Sequence, residues 1–249
     1  MKRNDSLNRA SKAHGSQLKA LLGLKLEPVA IAFLEAPPPH VPRVGVVEPA
    51  GCAYWRSAAE GKVFYTEASD HYHCPIGAYT HGIPLPPEHA GEFERLIQEM
   101  VGLEYIKPEE LPSIPHRTGS VGVVIYAPLG KTPCEPDVVL IRGNIRQLML
   151  LAEAAQAAGI AGGATMGRPT CAIIPEAIQS GKAVTSFGCT GNRVYTGVSD
   201  DEGYYAIPGP QLAPVVEKLA TIVRANRELE TFHQARQALR VAEGQRSDL

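Results

Sequence analysis

The segment Asp137-Val-Val-Leu-Ile-Arg-Gly-Asn144 begins with an apolar, β-branched run, and residues 145–158 after it are strong helix formers. A strand, a tight turn and a helix in this order are typical of a layered protein built from both helices and strands. An earlier run, Val121-Gly-Val-Val-Ile-Tyr-Ala127, predicts a second core strand. The predicted fold class is therefore α/β, a mixed sheet packed with helices in a single compact body that leaves room for two lobes.

Shorter patterns on both sides extend this plan. Apolar runs predict further strands at residues 28–34, 63–65, 183–187 and 204–207. Helical periodicity and end signals predict helices at residues 16–23, 52–59, 88–101, 173–179 and 214–238. Residues 66–82, rich in His, Asp and Tyr, predict an irregular stretch. We expect one domain over residues 16–240, with flexible tails at 1–15 and 241–249.

Length, composition and charge limit the functional classes. The chain has 249 residues, of which 44% are hydrophobic and 20% charged, an ordinary globular composition. Lys and Arg total 24 against 26 Asp and Glu, so the basic surface of a nucleic-acid or membrane binder is not expected. No run reaches the ~18 apolar residues of a membrane span, and the amino terminus lacks a signal-peptide core. The expectation is a cytoplasmic protein.

The chain has five cysteines, which are expected to be reduced in that compartment. All but Cys134 lie beside Gly or Pro or at a predicted helix start, where backbone N–H groups remain free: Cys52, Cys74, Cys171 and Cys189. Thiolates that bind a metal favour this setting, because N–H groups stabilise the charge on sulfur. Their spacing matches neither a zinc ribbon nor a ferredoxin, so buried, small hydrophobic thiols stay open as the alternative.

Histidines crowd one of these cysteines in the segment Asp70-His-Tyr-His-Cys-Pro-Ile-Gly-Ala-Tyr-Thr-His81. His71 and His73 are candidates for a nitrogen ligand or a proton donor, and the alternative is a pair of loop histidines hydrogen-bonded to Asp70. His81 is expected at the end of a helix. A Cys–His nucleophile pair involving Cys74 is also open, although sequence neighbours rarely have the required geometry.

Charged residues near the cysteines offer further candidates. Arg168 and Arg193 each lie within four residues of a candidate cysteine and suit charge balance or an anionic substrate, with exposed ion pairs as the alternative. Asp200-Asp-Glu202 is a candidate for a hard cation, but a solvated turn is the simpler interpretation. The glycines at 159–164 follow a helix rather than a strand, so they are not a dinucleotide-binding fingerprint.

Three blocks of the sequence resemble a known family. They are Phe64-Tyr-Thr with residues 70–78, Glu135-Pro-Asp-Val-Val-Leu-Ile-Arg-Gly-Asn144, and Gly188-Cys-Thr-Gly-Asn-Arg193 with residues 200–202. These blocks, and the chain from about Leu18 to about Val216, resemble the domain of unknown function 169 family, which has no settled activity. The resemblance implies a cysteine set of Cys52, Cys74, Cys171 and Cys189, with Cys134 outside it.

The frequency of this family in anaerobic bacteria and archaea, often beside redox genes, implies a four-iron iron–sulfur (4Fe-4S) cluster, with zinc as the alternative. We therefore expect a redox or Lewis-acid enzyme, an oxidoreductase or lyase, acting on a small molecule in an anaerobic pathway. His71, His73 and Arg193 are expected to line the substrate approach. A redox partner protein and a homo-oligomer are open. The rival hypothesis is a non-catalytic small-molecule binder or cofactor carrier with structural thiols or zinc.

Overall fold

The protein is described by a computed structural model over residues 2–163 and 165–247, with side chains placed at 9–163 and 165–238. Within these ranges the strands are β1 (Val29–Leu34), β2 (Phe64–Thr66), β3 (Val123–Pro128), β4 (Val138–Asn144), β5 (Val184–Ser186) and β6 (Glu202–Pro208). They form one six-stranded sheet in the order β2-β3-β1-β4-β6-β5. Neighbouring strands all run antiparallel.

Helices cover both faces of this sheet, and they confirm the predicted α/β class. They are α1 (Lys2–Leu22), α2 (Gly51–Ala59), α3 (Pro75–His81), α4 (Glu92–Gly102), α5 (Ile145–Ala157), α6 (Ile173–Ser180), α7 (Thr190–Thr196) and α8 (Leu212–Ser247). Within the part of the chain that the structure describes, no helix is both long and apolar enough to cross a membrane.

Apolar side chains point alternately to the two faces of the sheet, and each face carries its own core. In β4, Val139 and Ile141 point to the face that packs against α1, α5 and α8. Val138 and Leu140 point to the opposite face, where they meet α2, α3 and α6. Burying apolar side chains on both faces fixes the register of the central strands, because a shift by one residue would exchange the two faces. All the candidate cysteines except Cys134 lie on the second face.

Two short helices depart from the sequence predictions. The interpretation of residues 66–82 as irregular was wrong for residues 75–81, which form α3. Pro75 occupies its first turn and Gly82 ends it in the left-handed region at φ 68°. Helix α7 was not predicted at all, and it ends at Gly197, whose φ is 61°.

The termini also differ from the predicted element bounds. Helix α1 begins at Lys2 rather than near residue 16, and α8 extends to Ser247. The predicted flexibility of residues 1–15 and 241–249 falls partly outside the described residues, at Met1 and residues 248–249, and stays a prediction.

Candidate functional site

A cavity of about 570 Å³ lies beneath α4, on the sheet face that carries α2, α3 and α6. Its lining includes four cysteines, Cys52, Cys74, Cys171 and Cys189. The lining also includes apolar residues of α4 and of the segment after it, Leu96, Ile97, Met100, Leu103 and Ile106. Residues separated by more than a hundred positions are therefore brought together around one cavity that combines thiols with hydrocarbon.

Each of these cysteines lies at the beginning of a helix. Cys52 is the second residue of α2, and Cys74 and Cys189 directly precede α3 and α7. Cys171 is in the 3-10 turn Thr170–Ala172, which leads directly into α6. Free N–H groups and the positive end of the helix dipole favour negative charge at such positions. The Cys189 N–H donates to the Thr170 hydroxyl, which ties two of the cysteine segments together.

The thiols are close enough to influence one another. Burial raises the pKa of Cys52 to about 12, and Cys74 adds to the effect. Burial likewise raises the pKa of Cys74, against the backbone N–H groups of Gly51 and Gly77, which lower it. Burial followed by the charge of Cys74 raises the pKa of Cys171 well above its usual range. Every pair among the four cysteines is coupled in this way, so more than one thiolate is costly here without a cation.

The Cys74 sulfur can occupy its position because residue 77 is a glycine, which leaves room for it. A Cβ at Gly77 would lie 2.7 Å from the Cys74 Sγ, closer than two such atoms can approach. A Cβ at Gly51 would lie 3.9 Å from the same sulfur, an ordinary contact. The backbone of α3 can therefore approach the sulfur closely enough to present the Gly77 N–H to it.

We expect Gly77→Ala to lower the free energy of unfolding by about 1–3 kcal/mol, because the new methyl group overpacks the cysteine site. Gly51→Ala is the matched control and should change stability by less than about 0.5 kcal/mol. Urea denaturation of the two variants and the parent measures both effects. Equal stability of the two variants would show that the Cys74 sulfur does not lie against residue 77.

Buried polar groups near the thiols lack a hydrogen-bond partner within the described residues. Among them are the Nδ1 of His71 and the hydroxyl of Tyr126. The Asn192 amide faces the Cys52 sulfur and favours its thiolate. Burial raises the pKa of Tyr126, and Tyr54 and then Cys74, Cys52 and Cys171 act in the same direction. Unsatisfied buried groups are expensive, and here they lie close to the thiols.

The candidate histidines occupy three different environments. His73 lines the cavity. His71 is buried behind the cysteines, where its Nε2 lies 2.8 Å from the Thr66 hydroxyl and burial lowers its pKa to about 4. Neither is paired with Asp70, whose carboxylate instead forms an ion pair with Arg43 at 2.8 Å. The alternative of two loop histidines hydrogen-bonded to Asp70 is therefore wrong, and the Tyr54 ring packs edge-on against His71 with ring centres 5.3 Å apart.

His81 is the last residue of α3, as expected for a helix-end residue. Its ring is fully buried, and neither ring nitrogen has a hydrogen-bond partner within the described residues. Burial lowers its pKa to about 3, and the charges of His71 and Arg117 act in the same direction.

The candidate residues Arg168 and Arg193 have different surroundings. Arg168 lines the cavity, with its guanidinium 4.8 Å from the centre of the Tyr105 ring. Arg193 is not among the lining residues; it donates to the carbonyls of Phe187 and Ser199 and pairs with Asp200 at 3.3 Å. Arg193 therefore closes the turn around Cys189 rather than facing the cavity.

The remaining candidates lie away from the cavity. Glu202 is held by Arg142 at 2.6 Å and by Ser199, and Asp200 pairs with Arg193, so these two carboxylates are engaged in ion pairs and turn contacts. Cys134 packs against the small core around Ile125, outside the set of lining cysteines. Its separation from the other thiols agrees with the partition that the resemblance implied.

Comparison with known proteins shows the family to which the chain belongs. The family model described as uncharacterised ArCR, the domain of unknown function 169 family, matches residues 17–218. The chain belongs to this family. An archaeal relative, the uncharacterized protein MJ0308 of Methanocaldococcus jannaschii, is 27% identical over 177 residues, which cover 64% of this chain and 71% of the relative. No solved structure matches the chain.

The four lining cysteines can be compared with the ligand geometry that a bound metal requires. Over residues 9–163 and 165–238, no three His, Cys, Asp or Glu side chains are grouped closely enough to hold a metal ion. Thiolates around one zinc at 2.3 Å would lie only roughly 3.8 Å apart, so zinc would require the thiols to move together. A four-iron cluster is a larger body whose cysteine ligands surround it at wider spacing. Four thiols are a donor set that both zinc and a four-iron cluster accept.

Proposed function

We propose that this protein binds a four-iron cluster through Cys52, Cys74, Cys171 and Cys189 and acts on a small molecule in the adjoining cavity. One observation carries the proposal. Four thiols that are far apart in sequence lie at helix starts and line one cavity. A compact cationic or cluster occupant would relieve the cost of placing these thiolates together.

The chain's own groups would then have distinct tasks. Backbone N–H groups at Gly51 and Gly77 stabilise charge on the Cys74 sulfur, and the Asn192 amide does so for Cys52. His73, on the cavity wall, is placed to exchange a proton with a bound molecule. Bound through all four thiols, a cluster of this kind would supply one-electron transfer; bound through three of them, it would supply Lewis acidity at the iron left open. The oxidoreductase and lyase hypotheses both remain within this proposal.

A non-catalytic binder is the second candidate, and the raised thiol pKa values favour it. With a pKa of about 12, Cys52 is a neutral thiol at pH 7 unless a cation is present. Four neutral thiols beside hydrocarbon would make the cavity an apolar binding pocket with no redox role.

Anaerobic purification followed by iron, sulfide and zinc analysis distinguishes the candidates. The proposal predicts a brown protein with absorbance near 400 nm and about four irons and four sulfides per chain. Stoichiometric zinc without iron would support the structural-zinc hypothesis. A colourless protein that takes up neither metal on anaerobic reconstitution would leave the apolar binder as the function.

A further inference from the structure

Helix α4 is amphipathic, yet none of its residues is buried. Its apolar side chains Leu96, Ile97 and Met100 face the cavity rather than the core of the protein. An apolar helix face of this kind is normally covered by other hydrophobic groups. The cavity therefore presents a hydrocarbon wall whose natural complement is an apolar molecule.

The cavity has the dimensions of a small-molecule site. Its volume of about 570 Å³ lies within the range of roughly 300–1,000 Å³ that is usual for ligand pockets. The segment after α4 continues the apolar wall with Leu103, Tyr105, Ile106 and Ile114. The helix itself is anchored at one end, where Phe93 packs against Tyr79 with ring centres 5.0 Å apart.

Arg168 is the arginine among the lining residues, and it adds a positive charge to the apolar wall. The Arg168 guanidinium is held over the Tyr105 ring, which orients its planar fork. Its ion-pair partner, Glu110, is 3.7 Å away, and both side chains are 46% exposed. A long, exposed pair of this kind contributes little to stability, so a ligand carboxylate can replace Glu110. Arg168 and Cys171 line the same cavity, so a ligand held by the guanidinium occupies the space that the thiols also border.

We infer that the cavity takes a small apolar monocarboxylate, with its carboxylate on Arg168 and its aromatic or branched hydrocarbon body against Leu96, Ile97 and Met100. The inference rests on the proposed function in taking the cavity beside the cysteines as the substrate site. Binding of the molecule, however, requires only the arginine and the apolar wall.

Calorimetric titration with 1-naphthoate and its neutral analogue 1-naphthamide tests this inference on the anaerobically purified protein. We expect naphthoate to bind at least about tenfold more tightly than naphthamide, because a charge-assisted pair with Arg168 adds to the apolar contact. Arg168→Gln should remove this preference, and Leu96→Gln should weaken both probes. Arg95→Gln is the matched control, since Arg95 is exposed on the outer side of α4, paired with Glu92.

Iron content is measured on the same samples, so the two proposals fail separately. An iron-loaded protein that binds neither probe, or binds both equally, overturns the inference and leaves the cluster proposal in place. Arg95→Gln reducing the carboxylate preference as much as Arg168→Gln also overturns it. A protein without iron that binds naphthoate through Arg168 supports the inference while the cluster proposal fails.

Discussion

Replacing Cys74 with serine is expected to remove most of the bound iron, whereas Cys134→Ser should leave the iron content unchanged. Cys74 is coupled to each of the other three lining thiols and receives the N–H groups of Gly51 and Gly77. Loss of this ligand would leave an open iron in a cavity that small molecules can enter, where clusters degrade. Iron and sulfide per chain, determined after anaerobic reconstitution of both variants, measure the difference.

Cys134→Ser is a demanding control because Cys134 is also partly buried, and burial raises its pKa to about 11. It shares the chemistry of the other thiols but not their cavity. If both serine variants lose iron to the same extent, the metal is bound nonspecifically by thiols and the assigned set is wrong. Retention of full iron content by Cys74→Ser would have the same meaning for that residue.

Acidification from pH 7.5 to 5.0 is expected to lower the free energy of unfolding. In His81→Phe this decrease should be smaller by about 2 kcal/mol. The folded protein holds His81 neutral because burial lowers its pKa to about 3, below the ordinary histidine value of 6.5. The unfolded chain therefore binds more protons between these values. The contribution of the neutral His81 to the free energy of unfolding is fully present above pH 6.5, and it is lost as the pH drops toward 3. His71, whose pKa is about 4, acts in the same direction.

Urea denaturation at the two pH values tests this prediction. Phenylalanine suits the site because Phe33 already packs edge-on against the His81 ring at 5.5 Å. His233, which is exposed on α8, provides the control, and His233→Asn should leave the pH dependence unchanged. An equal loss of stability on acidification in the parent and in His81→Phe would contradict a buried, neutral His81.

The central strands could be predicted because each carries enough apolar, β-branched residues to be recognised locally. Val138–Ile141 is such a run, and its burial on both faces follows from the two layers of helices. Helices α3 and α7 could not be recognised in the same way, because seven residues give too few turns to establish a period. Tertiary packing supports them, α7 against α2 and α3 mainly against the turn Thr170–Ala172.

The grouping of four cysteines could be predicted from the sequence, but the shape of the cavity that they line could not. Gly and Pro beside the cysteines, together with the family resemblance, separated Cys134 from the rest. Periodicity identified the apolar face of α4 but could not show that this face looks onto a cavity. Arg193 was placed near the substrate because it follows Cys189 closely, yet its guanidinium turns back to local carbonyls. Tyr126 was treated as part of an ordinary core strand, and no local signal indicates that its hydroxyl lies near the thiols.

Mössbauer spectroscopy of protein produced with iron-57 and purified without oxygen tests the central claim most directly, since it reports the iron and its ligands together. The account predicts the doublet of tetrahedral, sulfur-coordinated irons of a four-iron cluster, lost in Cys74→Ser and retained in Cys134→Ser. A spectrum without bound iron, or with iron held only by nitrogen and oxygen, would contradict it.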